Sequence, residues 1–149
     1  LNRFGYVEGN ALMFIDPTGL CWVYEQSTGR LFRAGNNPSA TTFVGEGYAG
    51  NGLGLNNAEL EIIQNRGPLP RGRYTIGRQG TIVTQRGTEL QSSMRLIPDR
   101  ENWMYDRAGF LIHGGNMQTR QSSNGCIVMP KSIRDQNGAS GDACLKVVQ

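Results

Sequence analysis

Histidine, cysteine and long hydrophobic runs are scarce in this chain, and each shortage excludes a class of protein. The 149 residues contain one histidine, His113, and three cysteines. One histidine with three scattered cysteines, none in CxxC spacing, is a poor zinc ligand set, so we expect no metal and no cofactor. No apolar run approaches the length of about 18 residues that a membrane-spanning helix needs, so we expect no membrane span.

Dense runs of lysine and arginine are also missing. The net charge of +3 and the pI near 9.0 suit an anionic partner such as nucleic acid or a cell-wall polymer. The arginines are scattered, however, so no dedicated nucleic-acid-binding face is expected. The opening residues 1–6 lack the basic and apolar regions of a signal peptide, so we expect this stretch not to encode general secretory export.

The odd number of cysteines leaves at least one thiol unpaired within a monomer. In an oxidising compartment Cys21 and Cys144 could form a disulfide and leave Cys126 free. In a reducing compartment all three would be thiols. The sequence leaves both states open.

Short hydrophobic runs between turn residues predict a mainly β domain with one or two short helices. The hydrophobic content of 38% is enough for a single core, and 21 glycines indicate many turns. Strands are predicted at 22–25, 30–33, 73–76, 81–84, 94–97, 109–113 and 144–148. The first two and the next two are each predicted to form a hairpin.

Two segments have helix signals, and one long segment has neither helix nor strand signals. Residues 56–66 are predicted to form a short helix that Asn56 caps and Gly67 ends. Pro130 fits the first turn of another helix, which is expected to run through Arg134. Residues 34–57 are rich in Gly, Asn, Ser and Thr, so they are predicted to form a long surface loop.

His113 and Cys126 are the candidate chemical groups. An apolar run ends at His113, and Cys126 enters a second apolar run 13 positions later. A cysteine nucleophile needs a base within hydrogen-bond reach, because a free thiol titrates at about pH 8.5. Only His113 could supply an imidazole base. The alternative is that His113 is a loop residue and Cys126 a small core residue.

The first 20 residues resemble the end of an Rhs-repeat core. The stretch runs from Asn2 through Tyr6 and Asn10 and closes with Asp16-Pro17-Thr18-Gly19-Leu20. This resemblance implies that residues 1–20 are the tail of an Rhs core and that residues 21–149 are its toxin domain. It also implies autoproteolysis between Leu20 and Cys21, in which Asp16 takes part.

A later part of the chain resembles L,D-transpeptidases. His113-Gly114 followed by Ser123-Asn124-Gly125-Cys126 is similar to the signature of YkuD-type enzymes. The blocks at 48–57 and 67–76 resemble type VI secretion effectors that carry an L,D-transpeptidase-like domain. Together the likeness covers roughly residues 45–134 and implies an L,D-transpeptidase-like catalytic β-fold.

This resemblance implies an antibacterial cysteine enzyme that acts on peptidoglycan stem peptides. The broken bond joins the third residue to the fourth, D-alanine. Water as acceptor gives L,D-carboxypeptidase activity, and a D-amino acid as acceptor gives L,D-transpeptidase exchange. Cys126 would be the nucleophile, His113 its base, and the Gly114 carbonyl would orient the imidazole.

The same resemblance assigns supporting roles to the loop before the cysteine. Backbone N–H groups around Asn124, Gly125 and Cys126 would form the oxyanion hole. Ser123 would support the loop by hydrogen bonding.

The sequence departs from the broad signature at two positions. Asn124 stands where the signature has a second histidine, and Val128 stands where many members have arginine or asparagine. Arg134 could replace that arginine in binding substrate, or it could be a solvated residue at a helix end. Asp99 and Asp106 could orient His113, or they could be surface loop residues.

The implied partners and location follow the same resemblances. They are the Rhs core, the type VI secretion machinery and a cognate immunity protein, with delivery to the periplasm of target bacteria. The rival readings are an Rhs-linked nuclease toxin and a non-catalytic wall-binding module. A single histidine disfavours a histidine-metal nuclease, and a papain-type peptidase has its cysteine before its histidine.

Overall fold

The computed structural model describes residues 21–34 and 41–149, so the predicted junction at Asp16–Leu20 lies outside the described residues. The strands are β1 (Trp22–Glu25), β2 (Arg30–Arg33), β3 (Thr42–Glu46), β4 (Tyr48–Ala49), β5 (Gly72–Ile76), β6 (Gly80–Val83), β7 (Glu89–Pro98), β8 (Leu111–His113), β9 (Ile127–Val128) and β10 (Cys144–Val148). The α-helix in this part of the chain is α1 (Lys131–Ala139), and short 3-10 turns lie at Gly52–Gly54 and Ala58–Leu60. The predicted mainly β class is confirmed.

The strands form one sheet in the order β3-β2-β1-β10-β5-β7-β8-β9-β4, and β6 pairs with β7 beside this path. β1 pairs with β10 in parallel, and β8 pairs with β9 in parallel. The other pairs are antiparallel. Parallel neighbours need a crossover connection, so the segment between β8 and β9 must return to the same end of the sheet.

One predicted hairpin is confirmed and the other is wrong. β1 and β2 pair across a turn in which Gly29 has φ +78°, a conformation that glycine adopts without steric strain. β5 and β6 do not form a hairpin with each other. Both pair with β7, where Tyr74 lies opposite Pro98 and Gly80 opposite Ser93. β7 has 10 residues, so it is long enough to pair with both strands.

The predicted loop and the first predicted helix are also corrected. The loop region 34–57 contains β3 and β4 in its described part. In place of a helix over 56–66 the chain forms a single 3-10 turn, which the side chain of Asn57 caps by accepting from the Glu59 N–H. Asn56 and Asn65 have φ of +50° and +60°. These left-handed residues interrupt a right-handed helix at both ends.

The core lies along the sheet and under α1. Trp22 on β1 and Leu145 on β10 face each other in register and are almost fully buried. Ile133 of α1 joins the same cluster. The second predicted helix therefore exists, and it is longer than expected because it continues to Ala139.

Of the two redox states that the sequence left open, the structure has the oxidised one. Cys21, just before β1, forms a disulfide with Cys144, the first residue of β10. Cys126 is the free cysteine. Within residues 21–34 and 41–149, no helix combines the length and the hydropathy that crossing a membrane requires.

Candidate active site

The parallel pairing of β8 with β9 brings His113 and Cys126 to one region of the sheet. Ile112 lies opposite Ile127, so continuing the register by one residue puts Cys126 beside Leu111. The Leu111 N–H donates to the Cys126 Sγ at 3.3 Å. Residues two apart on a strand share a face, so His113 lies on the Cys126 side, with Cα atoms roughly 8 Å apart from strand spacing and rise.

The imidazole of His113 is held in one tautomer. His113 is buried, and its Nδ1 lies 2.6 Å from the carbonyl oxygen of Gly114. A carbonyl only accepts hydrogen bonds, so Nδ1 carries the proton and Nε2 has the free lone pair. Burial lowers the pKa of His113, and the charge of Arg134 acts in the same direction. The imidazole is therefore a neutral base.

The thiol of Cys126 is protonated at rest. Desolvation by the surrounding protein raises its pKa, while the Leu111 N–H and the charge of Arg107 lower it. The raising effect is the larger one. A thiol with a raised pKa needs a base to become a nucleophile at neutral pH.

Ser123 connects the segment Ser123–Cys126, here called the cysteine loop, to the loop after β4. Its buried hydroxyl donates to the Cys126 carbonyl at 2.7 Å and accepts from the N–H groups of Gly125 and Gly50, each at 2.9 Å. The N–H of Gly125 is therefore already engaged. The backbone N–H of Cys126 acts on its own thiol, whose pKa it lowers.

The glycine- and asparagine-rich segment that begins at Tyr48 packs against the cysteine loop and forms hydrogen bonds with it. Tyr48 lies opposite Val128 on β9. The side chain of Asn51 donates to the Ser123 carbonyl at 2.8 Å and to the Asn124 side-chain oxygen at 3.2 Å. The Val128 position that departs from the signature is thus a buried strand position, and Asn124 is exposed.

Arg107 is a residue of the site that the sequence did not indicate. It is 5% exposed, and its guanidinium donates to the carbonyl of Asn124 at 3.3 Å. The same group donates to the carbonyls of Gly67 and Pro68. In the sequence it stands in a polar loop before β8, where nothing local distinguishes it from a solvated arginine.

Arg134 is not the solvated helix-end residue that the sequence allowed, while Asp99 and Asp106 follow the surface alternative. Arg134 is 8% exposed, so it is not solvated. Its Nε donates to the carbonyl of Met129, and its Nη1 donates to the carbonyls of Gln91 and Ser92. Asp99 accepts a hydrogen bond from the Glu101 N–H, and Asp106 is exposed. The hydrogen-bond partner of His113 is the Gly114 carbonyl and not an aspartate. The aspartates are surface loop residues.

No group of three or more His, Cys, Asp or Glu side chains that could hold a metal ion occurs in the described part of the chain.

The fold is similar to that of an L,D-transpeptidase. A crystal structure of an Enterococcus faecium L,D-transpeptidase C442S mutant superposes with a TM-score of 0.53 at 12% identity, over 87% of this chain and 49% of that one. This chain thus spans about half the length of that protein. The catalytic domain of an E. faecium L,D-transpeptidase, determined by NMR, has a TM-score of 0.47 at 11% identity, with coverage of 89% and 98%. The predicted L,D-transpeptidase-like β-fold is confirmed.

The sequence match is more specific. The sequence model of the Tlde1 domain family matches residues 44–141, so the chain belongs to that family. No curated protein sequence matches the chain.

Proposed function

We propose that this domain is an antibacterial effector that cleaves peptidoglycan stem peptides through a thioacyl-enzyme on Cys126. Membership of the Tlde1 family, a family of type VI secretion effectors of the L,D-transpeptidase kind, supports a wall substrate. The likeness to an L,D-transpeptidase supports a suitable fold. The single observation that carries the reaction type is the hydrogen bond from His113 Nδ1 to the Gly114 carbonyl. It leaves the Nε2 lone pair free on the side of the sheet where Cys126 precedes β9.

In the first half-reaction, Nε2 of His113 takes the proton of the Cys126 thiol. The thiolate attacks the carbonyl carbon of the third stem residue and forms a C–S bond. The negative oxygen of the tetrahedral intermediate accepts a hydrogen bond from the Cys126 N–H. The intermediate then collapses, the C–N bond to D-alanine breaks, and the imidazolium returns its proton to the leaving amine.

In the second half-reaction, the thioester is attacked by water or by the amine of a D-amino acid. His113 takes a proton from the acceptor and returns it to the departing sulfur, which restores the thiol. Water gives a trimmed stem peptide, and a D-amino acid gives an exchanged one. Because the same base serves both acceptors, the proposed mechanism allows carboxypeptidase and transpeptidase activity alike.

Delivery and protection are part of the same proposal. The likeness of residues 1–20 to an Rhs core supports a toxin domain over 21–149, released by cleavage after Leu20 and delivered to the periplasm. An enzyme that attacks the wall of its own producer requires an immunity protein that blocks the cleft. Co-expression with the adjacent reading frame should restore growth, and failure of every neighbouring frame to do so would contradict this part.

The test of the reaction is mass spectrometry of Gram-negative muropeptides incubated with the protein, with and without an added D-amino acid. We expect tetrapeptides to lose D-alanine or to exchange it, and Cys126→Ala to leave them unchanged. Circular dichroism of both proteins controls for folding. Unchanged muropeptides with folded, reduced Cys126 would refute the proposal and leave wall binding without catalysis as the function to test.

A further inference from the structure

A buried arginine without a bonded carboxylate lies behind the cysteine loop. Arg107 donates to four main-chain carbonyls, those of Glu61, Gly67, Pro68 and Asn124. Its guanidinium also lies 5.1 Å from the centre of the Phe110 ring. Within the described residues its bonded partners are all neutral. Burying a charge without a bonded carboxylate is costly, so the presence of Arg107 here needs an explanation beyond packing.

The four bonds join the cysteine loop to the segment before β5. The guanidinium lies 2.9 Å from the Gly67 carbonyl and 3.3 Å from the Asn124 carbonyl. The Leu69 N–H adds a further link by donating to the Gly125 carbonyl at 3.0 Å. Arg107 is thus the polar group that holds two separate segments around the residue before the nucleophile.

The guanidinium is in contact with Gly125 itself. A Cβ on Gly125 would lie 2.6 Å from Nη2 of Arg107, and Gly125 has φ +136°. A glycine is therefore required both by the backbone angle and by the closeness of the arginine. This contact puts a permanent positive charge one residue from Cys126, since arginine stays protonated at any working pH.

We propose that Arg107 is a positioning residue that holds the Cys126 loop and makes the thiolate of Cys126 easier to form. The proposal rests on the proposed function, in which that thiolate is the nucleophile. The groups that face Cys126 are His113, by strand register, and Arg107 from the loop before β8. Desolvation raises the pKa of the Cys126 thiol, and the charge of Arg107 opposes it.

Arg134 offers a matched control on the other side of the site. It is buried to a similar degree, and it too donates only to carbonyls, here three of them. A Cβ on Gly114 would lie 2.6 Å from its Nη2, so this arginine lies behind His113 and not behind Cys126. Replacing either arginine removes a buried charge and several bonds, but only one replacement should act on the thiol.

The test is the rate of iodoacetamide alkylation of the free thiol as a function of pH, read by mass spectrometry on the disulfide-bonded chain. We expect Arg107→Gln to raise the pH midpoint by about one unit, the lower end of the shift that a nearby opposite charge produces. Alkylation well below the midpoint then slows about tenfold. Arg107→Lys keeps the charge and Arg134→Gln keeps Arg107, so both should retain the native midpoint.

An unchanged midpoint in folded Arg107→Gln would overturn the proposal. If that variant does not fold, Arg107→Lys decides. An ammonium group cannot bond all four carbonyls. The muropeptide turnover of Arg107→Lys should therefore fall at least tenfold, while the pH midpoint of its alkylation stays native. A raised midpoint or native turnover would overturn the proposal. Alkylation needs no substrate, so its result is independent of whether the wall reaction itself is correct.

Discussion

The disulfide between Cys21 and Cys144 gives the sharpest stability prediction, because it closes most of the described chain into one loop. We consider the double variant Cys21→Ser/Cys144→Ser, made in a Cys126→Ala background so that no other thiol can react. The sequence separation is 123 residues. The chain-entropy relation for a loop of that length predicts a loss of about 5 kcal/mol of unfolding free energy at 25 °C.

This loss is a large part of the 5–15 kcal/mol that typical domains possess, but it need not prevent folding. Trp22 and Leu145 remain buried against each other, and β1 keeps its parallel ladder with β10. The double variant is therefore expected to fold at 25 °C with a much lower urea midpoint. In a reducing compartment the native chain should have the same weakness, since its thiols are then unlinked.

The assay is urea unfolding followed by tryptophan fluorescence, with linear extrapolation to water. Cys126→Ala alone is the oxidised reference, and the same protein in excess reductant should match the double variant. Adding reductant to the double variant should change nothing. A loss of less than about 1 kcal/mol would refute the argument, because the unfolded chain would then not gain the conformational freedom that the loop length implies.

Two further predictions concern the site itself. Because burial lowers the pKa of His113 and the base must be neutral to act, kcat/KM should reach half its plateau below pH 6.5. A pH–rate profile that falls already above pH 7 on its acidic side would contradict this. Ser123→Ala leaves two N–H groups and one carbonyl without their hydroxyl partner, so it should lower the unfolding free energy by about 2–4 kcal/mol. Urea unfolding measures this, and a loss within 0.5 kcal/mol would show that the loop satisfies these groups without Ser123.

His113 and Cys126 could be selected from the sequence because their signals are local. His113 closes an apolar run and Cys126 opens one, with glycines and small polar residues between them. Short hydrophobic runs between turn residues likewise predicted the mainly β class and the first hairpin, since both depend on neighbours within a few positions.

The predictions from the sequence were wrong where a local pattern was compatible with two different tertiary arrangements. The runs now in β5 and β6 look like the two arms of a hairpin, yet each pairs with β7. The capping signal before residue 58 started only a single 3-10 turn, and left-handed Asn56 and Asn65 lie on either side of it. In both cases longer-range pairing and backbone conformation outweighed the local preference.

The sequence by itself determined which residues could do chemistry here, because a lone histidine and a glycine-flanked cysteine leave few other candidates. Only the tertiary structure decided what surrounds them. The parallel register of β8 and β9, the pairing of Cys21 with Cys144 and the burial of Arg107 and Arg134 all join positions far apart in the chain. No local pattern encodes such contacts, because they arise only when the strands assemble and remove these groups from water.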